Sequence, residues 1–169
     1  MIREITGDLL TAEADIICHQ ANYYGVMGGG VALSIWNKIL PAQSKRQYQA
    51  LCRSEGRALL GKVQYIEAVR QNDGTAMTVA NLFCQDEKTQ QDGGLTRYDC
   101  MHDCLQDVEG FARAHGMSRI ALPGYMGCGI AGGDWQRVYS VIRAVFDSSP
   151  VDLTIVYWGR DGRGSHPAR

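Results

Sequence analysis

The sequence predicts an α/β domain of three layers, in which helices cover both faces of a central mixed sheet. Short apolar runs alternate along the chain with segments whose apolar residues recur at helical spacing. A turn signal, "QNDGT" at 71–75, separates two strand-like segments and predicts one antiparallel pair in the sheet. The length of 169 residues suits one domain, which we expect at residues 1–158, followed by a flexible, glycine-rich tail at 159–169.

The first third of the chain supplies two strands and two helices. "IREIT" predicts a short strand, and "ADIICHQAN" is a continuous apolar run that meets polar residues at His19, as expected of a buried central strand. The apolar residues of "VALSIWNKI" recur at helical spacing. Pro41 separates that helix from a second helix at 42–55, which Gly56 is expected to end.

The rest of the chain predicts four more strands and two more helices. "GKVQYIEAV" and "TAMTVANLFCQ" form the hairpin around 71–75, and a polar loop, "DEKTQQDGG", follows them. A helix is expected from about 96 to 115. "RIALPG" predicts a buried strand, Asp134 begins the last helix, and "VDLTIVYW" is the last strand.

Composition narrows the possible classes of function. A net charge of −1 provides no general attraction to nucleic acid or to an anionic membrane. No apolar run reaches the roughly 20 residues of a membrane span, and the N-terminus lacks the apolar core of a signal peptide. We therefore expect a cytoplasmic protein without membrane contact, whose six cysteines are reduced and packed as small apolar side chains. In "CMHDC", Cys100 and Cys104 share a helical face but His102 does not, so no metal site is expected.

Two glycine-rich loops carry the main functional signal. The loop "GVMGGG" at 25–30 and the loop "GYMGCGIAGG" at 124–133 each follow a buried strand and precede a helix. Loops in that position lie at the carboxyl ends of strands, where open α/β sheets bind ligands. Glycines let an anion approach the unpaired N–H groups at a helix start, so two facing loops could hold a diphosphate without a lysine. Each loop taken alone is also compatible with a tight turn.

Other nucleotide and nucleophile motifs are absent from the sequence. No stretch reads G-x-x-x-x-G-K-[ST], neither loop fits G-x-G-x-x-G with an acidic residue about 20 positions later, and no G-x-S-x-G occurs. Cys128 lies in the second loop, where a helix N-terminus would activate a thiolate. No histidine follows nearby to serve it, so a cysteine nucleophile is disfavoured.

An ordered set of motifs resembles the macrodomain family: "GDLL", "HQANYYGVMGGGVA", "LLGKV", "VANLFCQ" and "LPGYMGCGIAGGDW", followed by "TIVYW". The resemblance spans about residues 5–158, and it is strongest to the branch with three kinds of enzyme. These are the terminal ADP-ribose-protein glycohydrolases, the DNA-ADP-ribosyl glycohydrolase antitoxins and the ADP-ribose-1″-phosphate phosphatases. It implies a three-layer α/β/α macrodomain fold and an ADP-ribose site.

The resemblance also implies roles for individual residues. Asp8 matches the aspartate that hydrogen-bonds the adenine amino group, and Asn22 with 28–30 matches the segment around the distal ribose and a phosphate. Residues 127–131 match the diphosphate loop. Trp158 either borders the adenine pocket or is a core or edge aromatic residue. The implied ligand-binding set is Asp8, Leu9, Asn22, Val26, Gly28, Gly29, Gly30, Val31, Gln85, Gly127, Cys128, Gly129, Ile130, Ala131 and Trp158.

The implied catalytic residues depart from the family pattern. The glycohydrolases of this branch use a lysine where this chain has Gln85, and an aspartate where it has Ala131. An amide nitrogen is not nucleophilic, so a Schiff base at Gln85 is excluded. The remaining candidates are His19, as a general acid or base or as a strand-end histidine bonded to backbone, and Asp134, as a catalytic group or a helix cap.

The leading hypothesis is an ADP-ribose-binding macrodomain, with hydrolysis of ADP-ribose 1″-phosphate or of an ADP-ribosyl conjugate possible. The histidine ahead of the glycine loop, together with the missing lysine, favours the phosphatase branch or binding alone. The alternative is a non-catalytic reader of ADP-ribosylated partners. We expect no cofactor and no metal. We also expect no nucleic-acid partner other than an ADP-ribosylated one, because the sequence has no stripe of basic and aromatic residues.

Overall fold

A computed structural model describes residues 1–88 and 94–159 and confirms the predicted fold class. Within these residues, six strands form one sheet, and four α-helices cover it. The elements are β1 (Ile2–Gly7), β2 (Ile16–Asn22), α1 (Gly30–Lys38), α2 (Ala42–Glu55), β3 (Val63–Val69), β4 (Ala76–Gln85), α3 (Tyr98–Ala114), β5 (Arg119–Pro123), α4 (Trp135–Phe146) and β6 (Asp152–Trp158).

The sheet is mixed, with strand order β1-β6-β5-β2-β4-β3. Only the hairpin strand β3 runs antiparallel to its neighbour, β4, and the other pairs are parallel. The carboxyl ends of β1, β6, β5, β2 and β4 therefore meet at one edge. That edge is where both glycine-rich loops leave the sheet.

Two apolar cores hold the three layers together. On one face, α3 and α4 pack their buried residues, such as Leu105 and Ile142, against the sheet. On the other face, α1 and α2 contribute Ile35 and Tyr48, and the ring of Tyr48 stacks at 6.1 Å on Phe83 of β4. Burial on both faces explains why the central strands read as continuous apolar runs.

The sheet opens between β2 and β5 at its carboxyl edge. Their ladder pairs only Ile16 with Ile120 and Ile17 with Ala121, although β2 continues to Asn22. Beyond that point the two strands diverge, and the chain leaves each of them through a glycine-rich loop. From β5 the chain continues to β6 on one side of the opening, and from β2 it continues to β3 and β4 on the other side. Open α/β sheets bind ligands at such a change in the direction of strand order.

The predicted elements are confirmed with small shifts of their ends. Helix α3 begins at Tyr98 rather than near 96, and two short 3₁₀ turns, Leu9–Thr11 and Gly56–Leu59, were not predicted. Five cysteines are buried as free thiols and the sixth, Cys128, is half-buried, as expected. The predicted tail lies outside the described residues from position 160 on, as does the middle of the polar loop at 89–93. Of the helices in the described parts of the chain, none has the length and apolar character needed to cross a bilayer.

Candidate functional site

A cleft of about 530 Å³ lies at the carboxyl edge of the sheet, over the opening between β2 and β5. That volume falls in the range of small-molecule and cofactor sites. Both glycine-rich loops line it, as do the ends of β2, β4, β5 and β6. The lining residues are His19, Gln20, Ala21, Asn22, Val26, Met27, Gly28, Gly29, Gly30, Val31, Ala32, Gln85, Glu87, Pro123, Gly124, Tyr125, Met126, Gly127, Gly129, Ile130, Ala131, Tyr157 and Trp158.

The side chain of Asn22 shapes the first glycine-rich loop. Its Oδ1 accepts a hydrogen bond from the N–H of Tyr24 at 3.0 Å, and its Nδ2 donates to the carbonyl of Val26 at 2.8 Å. The hydroxyl of Tyr48 donates to the Asn22 carbonyl at 2.8 Å. Both ends of the amide are therefore bonded within the loop, although Asn22 also lines the cleft, where it was expected.

The N-terminus of α1 opens into the cleft without a side-chain cap. Its N-cap is Gly29, and Gly30 begins the helix with φ +58, a conformation that favours glycine. The first hydrogen bond of the helix runs from the N–H of Leu33 to the carbonyl of Gly29. The N–H groups of residues 30–32 thus have no backbone acceptor among the described residues, and they carry the positive end of the helix dipole.

The second loop forms the opposite wall. Its second residue, Tyr125, has φ +58, and its ring packs against Trp135 and Tyr157. The N–H groups of residues 129–131 have no backbone acceptor in the described part of the chain. The two walls nearly touch, because a Cβ built on Gly29 would lie 2.7 Å from the Cδ1 of Ile130.

The described lining of the cleft carries few charged side chains. It includes no lysine and no arginine, and its one carboxylate is that of Glu87. Among these residues, the groups with positive partial charge are therefore mainly backbone N–H groups. Glu87 lies two residues after Gln85, which ends β4, and β4 is separated from the strand of Trp158 by β2 and β5.

His19 lines the cleft but is almost fully buried. Its Nε2 lies 2.5 Å from Oδ1 of Asn81, whose Nδ2 donates to Gln64. Nε2 therefore carries the proton, and Nδ1 has a lone pair with no partner in the described structure. Burial lowers the pKa of His19 to about 4, against the opposing effect of the bond to Asn81. A neutral imidazole that is this hard to protonate is a weak general base at neutral pH.

Asp134 is a helix cap in the structure. Its Oδ1 accepts from the N–H groups of Gln136 at 2.8 Å and Arg137 at 3.2 Å, which closes the N-terminus of α4. Asp134 is not among the cleft-lining residues. The geometry agrees with the capping interpretation that the sequence left open, and the second wall is built from the loop itself rather than from the start of α4.

Cys128 also points away from the cleft lining, although its neighbours Gly127 and Gly129 belong to it. Its Sγ donates to the carbonyl of Met126 at 3.5 Å. Burial raises the pKa of Cys128 to about 12, and the charge of Asp134 adds to that shift. A thiol with this pKa stays protonated at neutral pH, so the structure favours a packing role for it.

The Trp158 end of the cleft lies next to the first strand. Gly7 pairs with Trp158 across β1 and β6, and Asp8 follows directly. Oδ1 of Asp8 accepts from the N–H of Leu10 at 2.9 Å and caps the short 3₁₀ turn. Asp8 and the buried Leu9 border this end without lining the cleft, whereas Trp158 lines it and leaves 64% of its surface exposed.

A buried carboxylate anchors the end of β4 behind Gln85. Asp86 is fully buried and accepts from Tyr23 at 2.8 Å, from Arg57 at 2.8 Å and from Arg97 at 3.4 Å. Tyr23 lies between β2 and the first glycine-rich loop, and Arg97 precedes α3. Asp86 thus ties three separate segments together next to the cleft.

Several residues that line the cleft were not in the ligand-binding set expected from the sequence. Gln20 and Glu87 flank predicted residues, and Tyr125 and Met126 lie within the predicted second loop. Tyr157 alternates with Trp158 on the last strand. Loop membership alone would have found Tyr125 and Met126, because the whole loop follows a strand whose end was placed correctly.

The Macro domain family model matches residues 18–142. No functionally curated protein is significantly similar to the chain in sequence. Among solved structures, a Bacteroides thetaiotaomicron protein of unknown function is 27% identical, with a TM-score of 0.76, over 94% of this chain and 98% of that chain. The macrodomain of Mycobacterium tuberculosis DarG is 25% identical, with a TM-score of 0.74, over 92% and 97% of the two chains.

Thermosipho africanus DarTG, solved in complex with ADP-ribose, shares the fold with a TM-score of 0.72. The two sequences are 15% identical over 96% of this chain and 42% of that chain. At this identity the likeness concerns the fold.

Proposed function

The chain belongs to the macrodomain family, and from this we propose that the cleft binds ADP-ribose or an ADP-ribosylated molecule. One observation carries the proposal. Residues 30–32 and 129–131, whose N–H groups have no backbone acceptor among the described residues, line a cleft of about 530 Å³ whose described lining has no lysine or arginine. A diphosphate fits that arrangement, because its charge is matched by backbone dipoles at close range. The complex of Thermosipho africanus DarTG with ADP-ribose supports the choice of ligand.

The two ends of the cleft suit the two ends of ADP-ribose. Trp158 offers an exposed aromatic face on which adenine can stack, and Asp8 follows the strand residue paired with it. At the other end, Gln85, Glu87 and Gln20 supply polar groups for the hydroxyls of the distal ribose. We therefore propose the orientation with adenine at Trp158 and the distal ribose at the end of β4.

Calorimetric titration with ADP-ribose tests the proposal, and variants of Asp8 sharpen it. Asp8→Ala removes both the acceptor for the adenine amino group and the cap on Leu10, so binding is expected to weaken by about 1–3 kcal/mol. Asp8→Asn keeps an oxygen for the cap but presents an NH₂ group to adenine. We expect it to weaken binding equally while leaving the unfolding midpoint near that of wild type. Absence of wild-type binding at millimolar ADP-ribose would refute the proposal.

Recognition without turnover is the role that the geometry favours. His19 is buried and neutral, Asp134 is committed to capping α4, and the lysine of the related glycohydrolases is replaced by Gln85. Of the two roles left open by the sequence, these features support a reader of ADP-ribosylated partners.

Hydrolysis of an ADP-ribose derivative is the second candidate, and Glu87 is the observation in its favour. It is the one carboxylate among the described lining residues, and it lies at the end of the cleft assigned to the distal ribose. A panel of ADP-ribose 1″-phosphate, ADP-ribosyl-protein and ADP-ribosyl-DNA separates the two roles. Turnover that is lost in Glu87→Gln while ADP-ribose still binds assigns an enzyme, and binding without turnover assigns a reader.

A further inference from the structure

The segment Gly94–Tyr98 contacts the second glycine-rich loop without lining the cleft. The N–H of Leu95 donates to the carbonyl of Ala131 at 2.7 Å. The hydroxyl of Thr96 donates to the carbonyl of Gly127 at 2.7 Å, and the hydroxyl of Tyr98 accepts from the N–H of Asp134 at 2.8 Å. Two of these bonds hold the loop itself, and the third holds the helix cap that follows it.

Thr96 is the buried centre of this contact. It is 1% exposed, and its hydroxyl accepts from Nε2 of Gln20 at 3.1 Å while it donates to Gly127. The same Gly127 carbonyl also accepts from the N–H of Gly133 at 2.8 Å. Both lone pairs of that carbonyl are therefore used, which fixes the peptide plane at the start of the phosphate-facing stretch 129–131.

The packing around Gly127 is tight enough to transmit that constraint. Its φ is +73, and a Cβ built on it would lie 2.5 Å from Oε1 of Gln20 and 2.8 Å from the Thr96 hydroxyl oxygen. A side chain at this position would meet both neighbours, so the backbone of Gly127 lies close to Gln20 and Thr96. The sequence singled out neither Gln20 nor Thr96, whereas Gly133 is the last residue of the predicted second loop.

We propose that Thr96 is a positioning residue for the diphosphate, an inference that rests on the proposed function. Its hydroxyl fixes the Gly127 carbonyl through a hydrogen bond. The N–H groups of residues 129–131 then stay without a backbone acceptor and are ready for an anion before it arrives. A loop that is already ordered loses less conformational entropy when the ligand binds, so the hydrogen bond of Thr96 is expected to raise the affinity for the diphosphate.

A matched pair of variants tests the proposal. Thr96→Val keeps the shape of the side chain and removes the hydroxyl, whereas Thr96→Ser keeps the hydroxyl and removes the methyl group. We expect Thr96→Val to bind ADP-ribose about 5- to 10-fold more weakly, as one hydrogen bond implies, and Thr96→Ser to bind like wild type. Adenosine, which lacks the diphosphate, should bind all three proteins equally. Equal ADP-ribose affinity of Thr96→Val and wild type, or equal losses for adenosine and ADP-ribose, would overturn the proposal.

A measurement without ligand separates failure of this proposal from failure of the proposed function. Amide hydrogen exchange of residues 127–133 is compared in the free wild-type, Thr96→Val and Thr96→Ser proteins. Faster exchange confined to that loop in Thr96→Val supports the positioning role, and unchanged exchange contradicts it. If wild type fails to bind ADP-ribose, the proposed function and the diphosphate role both fail, whatever the exchange shows. Thr96→Ala replaces Thr96→Val in both measurements if the valine variant does not fold.

Discussion

Among single residues, His19 couples the stability of the fold to pH, because its imidazole is buried and neutral. Burial lowers its pKa from 6.5 to about 4 in the folded protein. Between those values the unfolded chain binds a proton that the folded chain does not. The free energy of unfolding is therefore unaffected by this group above pH 6.5. As the pH falls from 6.5 towards 4, it decreases by up to about 3 kcal/mol.

The variant His19→Gln isolates that contribution. Its amide does not titrate, and its Nε2 can still donate to Asn81. Urea unfolding at pH 7 and pH 4 should show wild type losing about 3 kcal/mol more than His19→Gln over this interval. The carboxylates are the same in both proteins, so equal losses would mean that His19 is not buried as a neutral ring.

Gly127 is a second residue whose substitution should be limited by its neighbours. In Gly127→Ala, the new Cβ meets Gln20 and Thr96 at a φ of +73. We expect a loss of about 2 kcal/mol or more in the free energy of unfolding, combining backbone strain with overpacking. Gly129→Ala, in the same loop, meets nothing within 4 Å and has no positive φ, so its stability should be unchanged. Equal stabilities for the two variants in urea unfolding would contradict the tight packing described for Gly127.

At the scale of elements, Asp86 joins the end of β4 to Tyr23, just before the first glycine-rich loop, and to the segment before α3. Its carboxylate is fully buried, while the arginines that bond it reach solvent to different extents, 50% for Arg57 and 17% for Arg97. Removing the buried charge takes a charged partner from both arginines, although Arg97 keeps its pair with Asp99. Such a loss is costly, because charge-assisted hydrogen bonds to a buried carboxylate are stronger than the neutral bonds that replace them.

Asp86→Asn is expected to lower the free energy of unfolding by about 2–3 kcal/mol. Asp99→Asn is the matched control, because Asp99 pairs with the same Arg97 at 2.7 Å but is 61% exposed. An exposed ion pair contributes less than about 1 kcal/mol. Denaturant unfolding of both variants distinguishes the two sites, and similar losses would contradict the anchoring role given to Asp86.

Elements were predicted well wherever one physical signal dominated. The apolar run ending at His19 was identified because a strand buried on both faces is apolar throughout. The hairpin strands were identified from alternating apolar and polar residues, the pattern of a strand with one buried face. Short 3₁₀ turns such as Leu9–Thr11 were missed because three residues carry no periodicity. The start of α4 was placed correctly at Asp134, but a cap and a catalytic aspartate look alike in a sequence.

At the scale of the whole molecule, the position of the cleft could be predicted from the order of strands and loops along the chain. Both glycine-rich loops were expected at the carboxyl edge of the sheet, and the structure brings them to within contact at Gly29 and Ile130. The supports of those loops could not be predicted, because Thr96 and Gly127 are 31 positions apart and meet only in the folded chain. The burial that makes His19 neutral depends on the same long-range packing.

Backbone N–H groups of the two loops are proposed to hold the diphosphate of ADP-ribose. A backbone amide NMR titration of the protein with ADP-ribose observes these groups themselves, and adenosine serves as the comparison ligand. We expect the amides of residues 30–32 and 129–131 to move downfield with ADP-ribose and to stay in place with adenosine. Binding of ADP-ribose that leaves the amides of both loops unmoved would show that these groups do not hold the diphosphate.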